Sequence, residues 1–383
     1  RFQLEEEEAV YGLGQHQDGI MNYRNHDLTL IQRNTHVAVP FLISTNNYGI
    51  LWDNYSHTDF HDGSEGMSFW SEVADGIDYF LIAGNDMDEV IKGYRKATGQ
   101  APMFGKWAYG YWQSKERYKT GGELLSIAKE YRERKIPIDN IVQDWQYWGK
   151  YGWSSMVFDE ENYPNAGQMI KTLHDTYHLH LMVSIWPHLG EGSEVYKELE
   201  KKSLLLQGKW WTGGRIYDAY SEEAKDIYWK YMRKGLFDLG IDAWWMDATE
   251  PESYWCEDLL EAKASILKNG PNSLGSASRY LNSYPLVTTE GVYKRQREAS
   301  SEKRVFILTR SAFAGQQRNA AATWSGDIAA TWDVFRNQTS AGLNFSLSGI
   351  PYWTTDIGAF FTNSRGANYP QGSKSDAYRE LYV

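Results

Sequence analysis

A chain of 383 residues with 39 Lys+Arg against 50 Asp+Glu carries a formal net charge of −11. That length allows two or three domains, or one barrel with an attachment, and a 42% hydrophobic fraction excludes a disordered chain. The acidic balance argues against a nucleic-acid partner, which needs a basic surface, and no apolar run reaches the ~18–20 residues of a membrane-spanning helix.

The single cysteine, Cys256, excludes an intramolecular disulfide and a cysteine metal cluster. Aromatic residues make up 15% of the chain, with 17 Trp and 27 Tyr. Part of that surplus is core, but the apolar C–H faces of sugar rings also pack on aromatic rings, so the composition leans toward carbohydrate.

The chain opens at Arg1 without the basic, apolar and small-residue regions of a signal peptide. Residues 1–100 read as a β-rich N-terminal domain, a partial β-sandwich. Glu5–Glu8 reads as a solvated charge run. Phe41–Thr45 and Tyr48–Trp52 flank Asn46-Asn47, a two-residue hairpin signal. Ile77–Ile82 predicts a further strand, and Asp86–Ala97 a short helix.

From about Pro102, residues 101–383 alternate short apolar strands with amphipathic helices, the pattern of βα units and a parallel sheet. Strands are predicted at Trp107–Trp112, Ile141–Trp145, Leu181–Trp186, Ala243–Asp247, Val305–Arg310, Ala322–Asp327 and Pro351–Asp356. Helices are predicted over Glu123–Arg134, Glu222–Leu239 (with Gly240 ending it) and Asp376–Val383. Residues 251–304 read as a long excursion above one face.

Five of these strands end in Asp144, Asp247, Arg310, Asp327 and Asp356. Convergent polar groups at strand C-termini define the active face of a (β/α)8 barrel. A doubly wound sheet would need a Gly-rich turn after the first strand, where this chain has Tyr111-Trp112-Gln113-Ser114. The expectation is therefore an α/β fold, a (β/α)8 TIM-type barrel truncated before its eighth strand.

Asp247 and Asp327 each close a Trp-containing strand. Two carboxylates facing one cleft suit glycoside hydrolysis, because the anomeric carbon needs an anion and the leaving oxygen a proton. Strand-end Asp residues also cap following helices, but five polar strand ends amid Trp favour the catalytic reading. No metal or other cofactor is required by this chemistry.

Trp245-Met246-Asp247-Ala248-Thr249-Glu250-Pro251 resembles the nucleophile signature of glycoside hydrolase family 31, the α-glucosidase and α-xylosidase family. The resemblance extends through Tyr11–Gly14, Ile136–Asp144, Thr309–Ser311, Phe313–Arg318, Trp324–Asp327 and Gly349–Gly358, in family order. It implies a retaining mechanism with Asp247 as nucleophile and Asp327 as general acid/base. It further implies that Asp144 binds sugar hydroxyls, that Arg310 lies beside the nucleophile and keeps it ionised, and that Asp356 sits at the rim or base of the sugar pocket. Glu250 is expected to support the site from behind.

Trp145, Trp186, Trp245, Trp324 and Trp353 are candidate pocket walls, with barrel core the alternative for each. The family's His after the eighth strand and its C-terminal β-domains fall outside the sequence. Asp144-Trp145-Gln146-Tyr147-Trp148 and Trp245–Pro251 look like the bacterial α-xylosidase branch; separately, a bulky side chain near C6 would leave room for xylose but not for a CH₂OH group. The expected substrate is an oligosaccharide bearing α-linked xylose. The alternatives are an α-glucosidase or transglycosylase of the same family, or a non-catalytic carbohydrate-binding fragment. The resemblance favours a periplasmic or cell-surface location, and no oligomer is predicted. His174, His178 and His180 are read as packing or surface residues rather than metal ligands, and Cys256 as an inert thiol.

Overall fold

The computed structural model describes residues 1–382. Two antiparallel sheets build the N-terminal part. One orders the strands Val10–Gln15, Val37–Ser44, Tyr48–Trp52 and Tyr79–Ala83, and the other orders Asp27–Leu30, Thr58–Gly63 and Gly66–Ser71. Val10, Leu13, Leu30, Leu42, Ile50 and Phe60 are buried together between them, as alternation along sandwich strands requires.

The hairpin at Asn46-Asn47 forms, but Ser44 pairs with Tyr48, so the loop has three residues, Thr45 to Asn47, with Asn47 at φ +60°. Three-residue loops of this kind end in a left-handed residue, a conformation Asn tolerates. The Glu5–Glu8 run also departs from expectation at its end. Glu8 is buried and accepts hydrogen bonds from the Ser44 and Tyr48 hydroxyls, both at 2.5 Å.

The helix Met87–Thr98, capped by the Asp86 carboxylate, lays Val90 and Tyr94 against the first sheet. The Tyr94 ring stacks on Phe41 at 4.3 Å.

The parallel sheet has seven strands in chain order: Trp112–Gln113, Asn140–Gln143, His180–Ile185, Ala243–Met246, Ile307–Thr309, Ala321–Trp324 and Trp353–Thr354. Among the described residues its first and last strands do not pair with each other. Helices follow the strands and cover the outside, as in a barrel.

The first strand is shorter than predicted. Lys106–Tyr109 is a 3-10 turn instead, because Trp107 stacks on His180 at 4.3 Å and turns inward with Phe104 and Trp112 onto Phe306. These rings plug the end of the barrel opposite the strand C-termini. The helix at Gly121 begins two residues before Glu123, where the Thr120 hydroxyl caps it by accepting from the Glu123 N–H. Glu222–Gly235 ends where a short 3-10 turn, Phe237–Leu239, runs into Gly240 at φ +112°. The last helix is described over Asp376–Tyr382, and Val383 lies outside the described residues.

The excursion after the fourth strand is shorter than expected. Tyr284–Ala299 is a helix of the outer layer, where Arg295 pairs with Asp226 and Glu222 of the neighbouring helix. Residues 251–283 alone leave the barrel, and they pack on the sandwich through Ile31, Ile266 and Leu281. Asn282 fastens this seam by donating to the Leu30 and Ser56 carbonyls.

His174 and His180 flank Asp242 at the entry of the fourth strand, at 2.7 and 3.4 Å. Burial alone would raise the Asp242 carboxyl, but these two imidazoles and Lys303 outweigh it and hold it below the carboxylate range. They are packing residues, at the plugged end of the barrel.

Candidate active site

The four residues Ala243–Met246 carry the chain through the sheet and leave Asp247 at its C-terminal edge, where its N–H donates to the Ile185 carbonyl. Alternation sends Trp244 outward onto Trp229 and Phe237, and Trp245 inward. Two strands on, Ala321–Trp324 delivers Trp324, whose ring meets that of Trp245 edge-on at 5.5 Å. Asp327 follows across Ser325 and Gly326.

Arg310, at the end of the intervening strand, joins the two carboxylates. Its Nη1 lies 3.1 Å from Asp247 Oδ1 and 3.1 Å from Asp327 Oδ2. Its Nε and Nη2 form a fork with Glu250, at 2.8 and 3.2 Å. Glu250 is fully buried, so this two-point contact fixes the guanidinium plane.

One cation here serves three carboxylates. Arg310 favours the ionised form of Asp247, but it acts against burial and two neighbouring anions. Burial pushes the Asp247 carboxyl up to about 7, and Arg310 lowers it only partly against the fields of Asp327 and Glu250. Arg310 itself, though buried, is held firmly protonated by the same three anions.

Asp144 is buried, with Oδ1 accepting from the Trp145 N–H at 2.6 Å. Burial holds its carboxyl well above the usual range, and the charges of Asp247, Glu116 and Asp327 add to the rise. Asp356 lies beyond the seventh strand and is open to water.

Trp145 and Trp186 lie half-buried on either side of Trp153, with ring centroids 5.0 and 5.2 Å from it. Trp145 also carries the Arg117 guanidinium over its ring and donates from Nε1 to Glu116. Trp353 does not join them, so its assignment as a pocket wall is corrected. Its ring lies against Gly342 of the helix Trp332–Leu347, and its Nε1 donates to Gln15 at 2.7 Å. Strand alternation turns it outward, into the apolar seam with Val37, Val39 and Phe345.

Two residues at the site escape sequence reading. Asn34 arrives from the sandwich and donates from Nδ2 to Asp327 Oδ2 at 2.6 Å. Glu252 is buried behind it, with Oε1 accepting from the Asn34 N–H at 3.1 Å. Burial pushes the Glu252 carboxyl up to about 8, with Glu250 adding to the rise. Nothing in local pattern marks Asn34, and Glu252 is marked only by lying two residues beyond Glu250. Cys256 is buried nearby, and burial pushes its thiol up to about 12, which keeps it inert.

Paired carboxylates bridged by a buried arginine lie at the C-terminal edge of a parallel α/β sheet, the edge at which barrel enzymes carry their active sites. Residues 101–383 match the Glycosyl hydrolases family 31 TIM-barrel domain, and residues 1–61 match the family's N-terminal galactose mutarotase-like domain. The chain belongs to glycoside hydrolase family 31.

It is 46% identical over 391 residues to an α-xylosidase of Saccharolobus solfataricus, covering 100% of this chain and 51% of that protein. The GH31 α-xylosidase of Xanthomonas citri superposes with a TM-score of 0.91 at 32% identity, over 100% of this chain and 58% of that one. A GH31 α-xylosidase from a soil metagenome, complexed with xylose, superposes with a TM-score of 0.88 at 33% identity, over 100% of this chain and 54% of that one. The chain thus spans about half the length of the relatives it matches.

Proposed function

We propose that this chain carries the catalytic site of a retaining, exo-acting α-xylosidase, which releases α-linked xylose from xyloglucan-type oligosaccharides. The single contact of Arg310 Nη1 with both carboxylates carries the reading. Two oxygens each 3.1 Å from one nitrogen can be separated by at most twice that distance. This brings both carboxylates within reach of one sugar ring, and the family resemblance supports retention, for which the two carboxyl groups stand ~5–5.5 Å apart. The names of the Saccharolobus, Xanthomonas and metagenome relatives support xylose as the sugar.

On this reading the ionised Asp247 attacks the anomeric carbon while Asp327 protonates the departing oxygen. Water deprotonated by Asp327 then attacks the same carbon and frees Asp247. Arg310 offsets the charge that Asp247 carries before attack, and Glu250 keeps the guanidinium turned toward the pair. Asp144, whose carboxyl burial pushes upward, offers its oxygens to a sugar hydroxyl. Trp245 and Trp324 form the floor, and Trp145 and Trp186 the wall, with Trp145 crowding a C6 substituent. Asp356, open to water, lies at the rim. The same reading places the boundary between sandwich and barrel domains near residue 100.

Parallel hydrolysis of p-nitrophenyl α-xyloside and α-glucoside tests the reading, with Asp247→Ala as control. Xyloside turnover that vanishes in the control, with α-xylose as the first product by NMR, is expected. A first product of the β-anomer would overturn retention, and a glucoside preference would overturn the xylose assignment. Xylosyl transfer dominating at high acceptor concentration would favour a transglycosylase.

A further inference from the structure

The seat of Asp327 is built by the other domain. Residues Arg33–His36 form a tight turn closed by paired backbone hydrogen bonds, Arg33 N to His36 O at 3.1 Å and His36 N to Arg33 O at 2.8 Å. At its tip Asn34 makes a two-point contact with Asp327. Its Oδ1 accepts from the Asp327 backbone N–H at 2.9 Å, and its Nδ2 donates to Asp327 Oδ2 at 2.6 Å.

The chain before Asp327 is shaped for this approach. Gly326 has φ +80°, and a Cβ there would lie 2.5 Å from Asn34 Oδ1 and 2.7 Å from Thr35 N. Gln15 adds a further tie from the sandwich, donating from Nε2 to the Ser325 carbonyl at 3.3 Å and to the Thr35 carbonyl at 2.8 Å. Behind the turn, Glu252 holds the Asn34 N–H. Every polar group of the Asn34 amide side chain is therefore spent on one carboxylate residue.

The two oxygens of Asp327 are consequently unequal. Oδ2 accepts from both Asn34 Nδ2 and Arg310 Nη1. A proton on Oδ2 would face two donors and find no acceptor. Oδ1 has no protein partner among the described residues, so it is the oxygen free to carry a proton.

We propose that Asn34 is the positioning residue of the general acid/base, fixing Asp327 so that Oδ1 alone exchanges the proton. This rests on the reading of Asp327 given above. In the first step the proton on Oδ1 passes to the glycosidic oxygen as its bond to the anomeric carbon breaks and the bond to Asp247 forms. In the second, Oδ1 takes a proton from water as the water oxygen bonds to that carbon and the bond to Asp247 breaks. The sandwich domain thereby takes part in proton transfer in the barrel.

The test compares leaving groups, because an acid matters most when the leaving oxygen is basic. On the protein carrying this chain, kcat/KM is measured for a xylosyl oligosaccharide and for 2,4-dinitrophenyl α-xyloside, across pH. Asn34→Ala is expected to lower the oligosaccharide value by about 10–100-fold, a part of the ~10²–10⁴ that general acid catalysis contributes. The dinitrophenyl value should change by less than about threefold, since its leaving group needs little protonation. Asn34→Asp keeps the shape but replaces the donor with a carboxylate, and should move the alkaline limb upward by about one pH unit.

Equal losses on both substrates with an unmoved limb would show a merely structural role and overturn the proposal. Asp327→Ala separates the two failures. If Asp327→Ala discriminates between the leaving groups while both Asn34 variants do not, the assignment of Asn34 fails alone. If Asp327→Ala loses both substrates equally, the acid/base reading fails with it.

Discussion

Arg310 and Glu250 meet through two parallel contacts, Nε to Oε1 at 2.8 Å and Nη2 to Oε2 at 3.2 Å. That fork uses two of the three guanidinium nitrogens and leaves Nη1 alone to face Asp247 and Asp327. Glu250 therefore sets the angle at which the single cation reaches both carboxylates, although it lies behind them.

Replacing Glu250 tests this division of labour. Glu250→Gln removes a charge that raises the Asp247 carboxyl, so Asp247 ionises at lower pH and the acid limb of kcat/KM should move downward. The variant also weakens a buried pair, and breaking such pairs costs about 3–5 kcal/mol. The remaining contacts of Arg310 to Asp247 and Asp327 place the cost at the low end. A pH profile and a urea denaturation curve on the same sample check both effects. An acid limb that moves upward would contradict the charge argument.

Asp247 should trade stability for activity in a pH-dependent way. Its carboxyl is raised from 3.8 to about 7 in the fold. The stability it contributes is thus full below about pH 4 and lost as pH rises through about 7. Asp247→Asn stays neutral throughout. It should be more stable than the parent at pH 8, by up to about 4 kcal/mol at ~1.4 kcal/mol per pH unit, with the difference fading toward pH 4. Turnover should be abolished at every pH. Thermal melts at pH 4, 6 and 8 give the comparison, and a variant less stable than the parent at pH 8 would count against it.

Much of this site is legible in the sequence because its parts lie at the ends of short apolar strands. Asp247 follows Ala243–Met246 directly, and Arg310 and Asp327 close the next two strands. A barrel brings such ends together whatever the helices between them do. The remainder depends on facts that no local pattern holds. Trp353 sits on a strand of two residues, too short for alternation to reveal which face is inward. Asn34 is separated from Asp327 by 293 positions and reaches it only because two domains pack. The upward push on the Asp247 carboxyl comes first from burial, with Asp327 and Glu250 adding to it against Arg310, and sequence proximity does not disclose this.

The two tryptophans assigned alike in sequence should separate in experiment. Trp145 is half-buried beside Asp144, so Trp145→Ala should widen the pocket near C6 and raise the glucoside-to-xyloside ratio of kcat/KM. A pocket contact of methylene size is worth ~1–3 kcal/mol, or roughly 10–200-fold. Trp353 packs in the seam between helix and sandwich. Trp353→Ala should leave that ratio unchanged while costing about 3–5 kcal/mol of stability. A ratio that moves with Trp353 would return it to the pocket.

Glu252 supplies the last prediction. Its Oε1 accepts from the Asn34 N–H, and among the described residues its Oε2 is buried without a hydrogen-bond partner. Burial raises its carboxyl from 4.5 to about 8, so it is a neutral acid at neutral pH. Because the folded value is raised, stability from Glu252 is full below about pH 4.5 and declines as pH rises through about 8. Glu252→Gln keeps the carbonyl acceptor for Asn34 and cannot ionise, so it should flatten that decline. Melting temperatures of parent and variant should lie close at pH 5 and separate by pH 8.5, with the variant higher. Glu252→Ala removes the acceptor and leaves the Asn34 N–H unpaired, which should lower stability at both pH values by about 1–3 kcal/mol. If parent and Glu252→Gln lose stability in parallel between pH 5 and 8.5, the titrating group lies elsewhere.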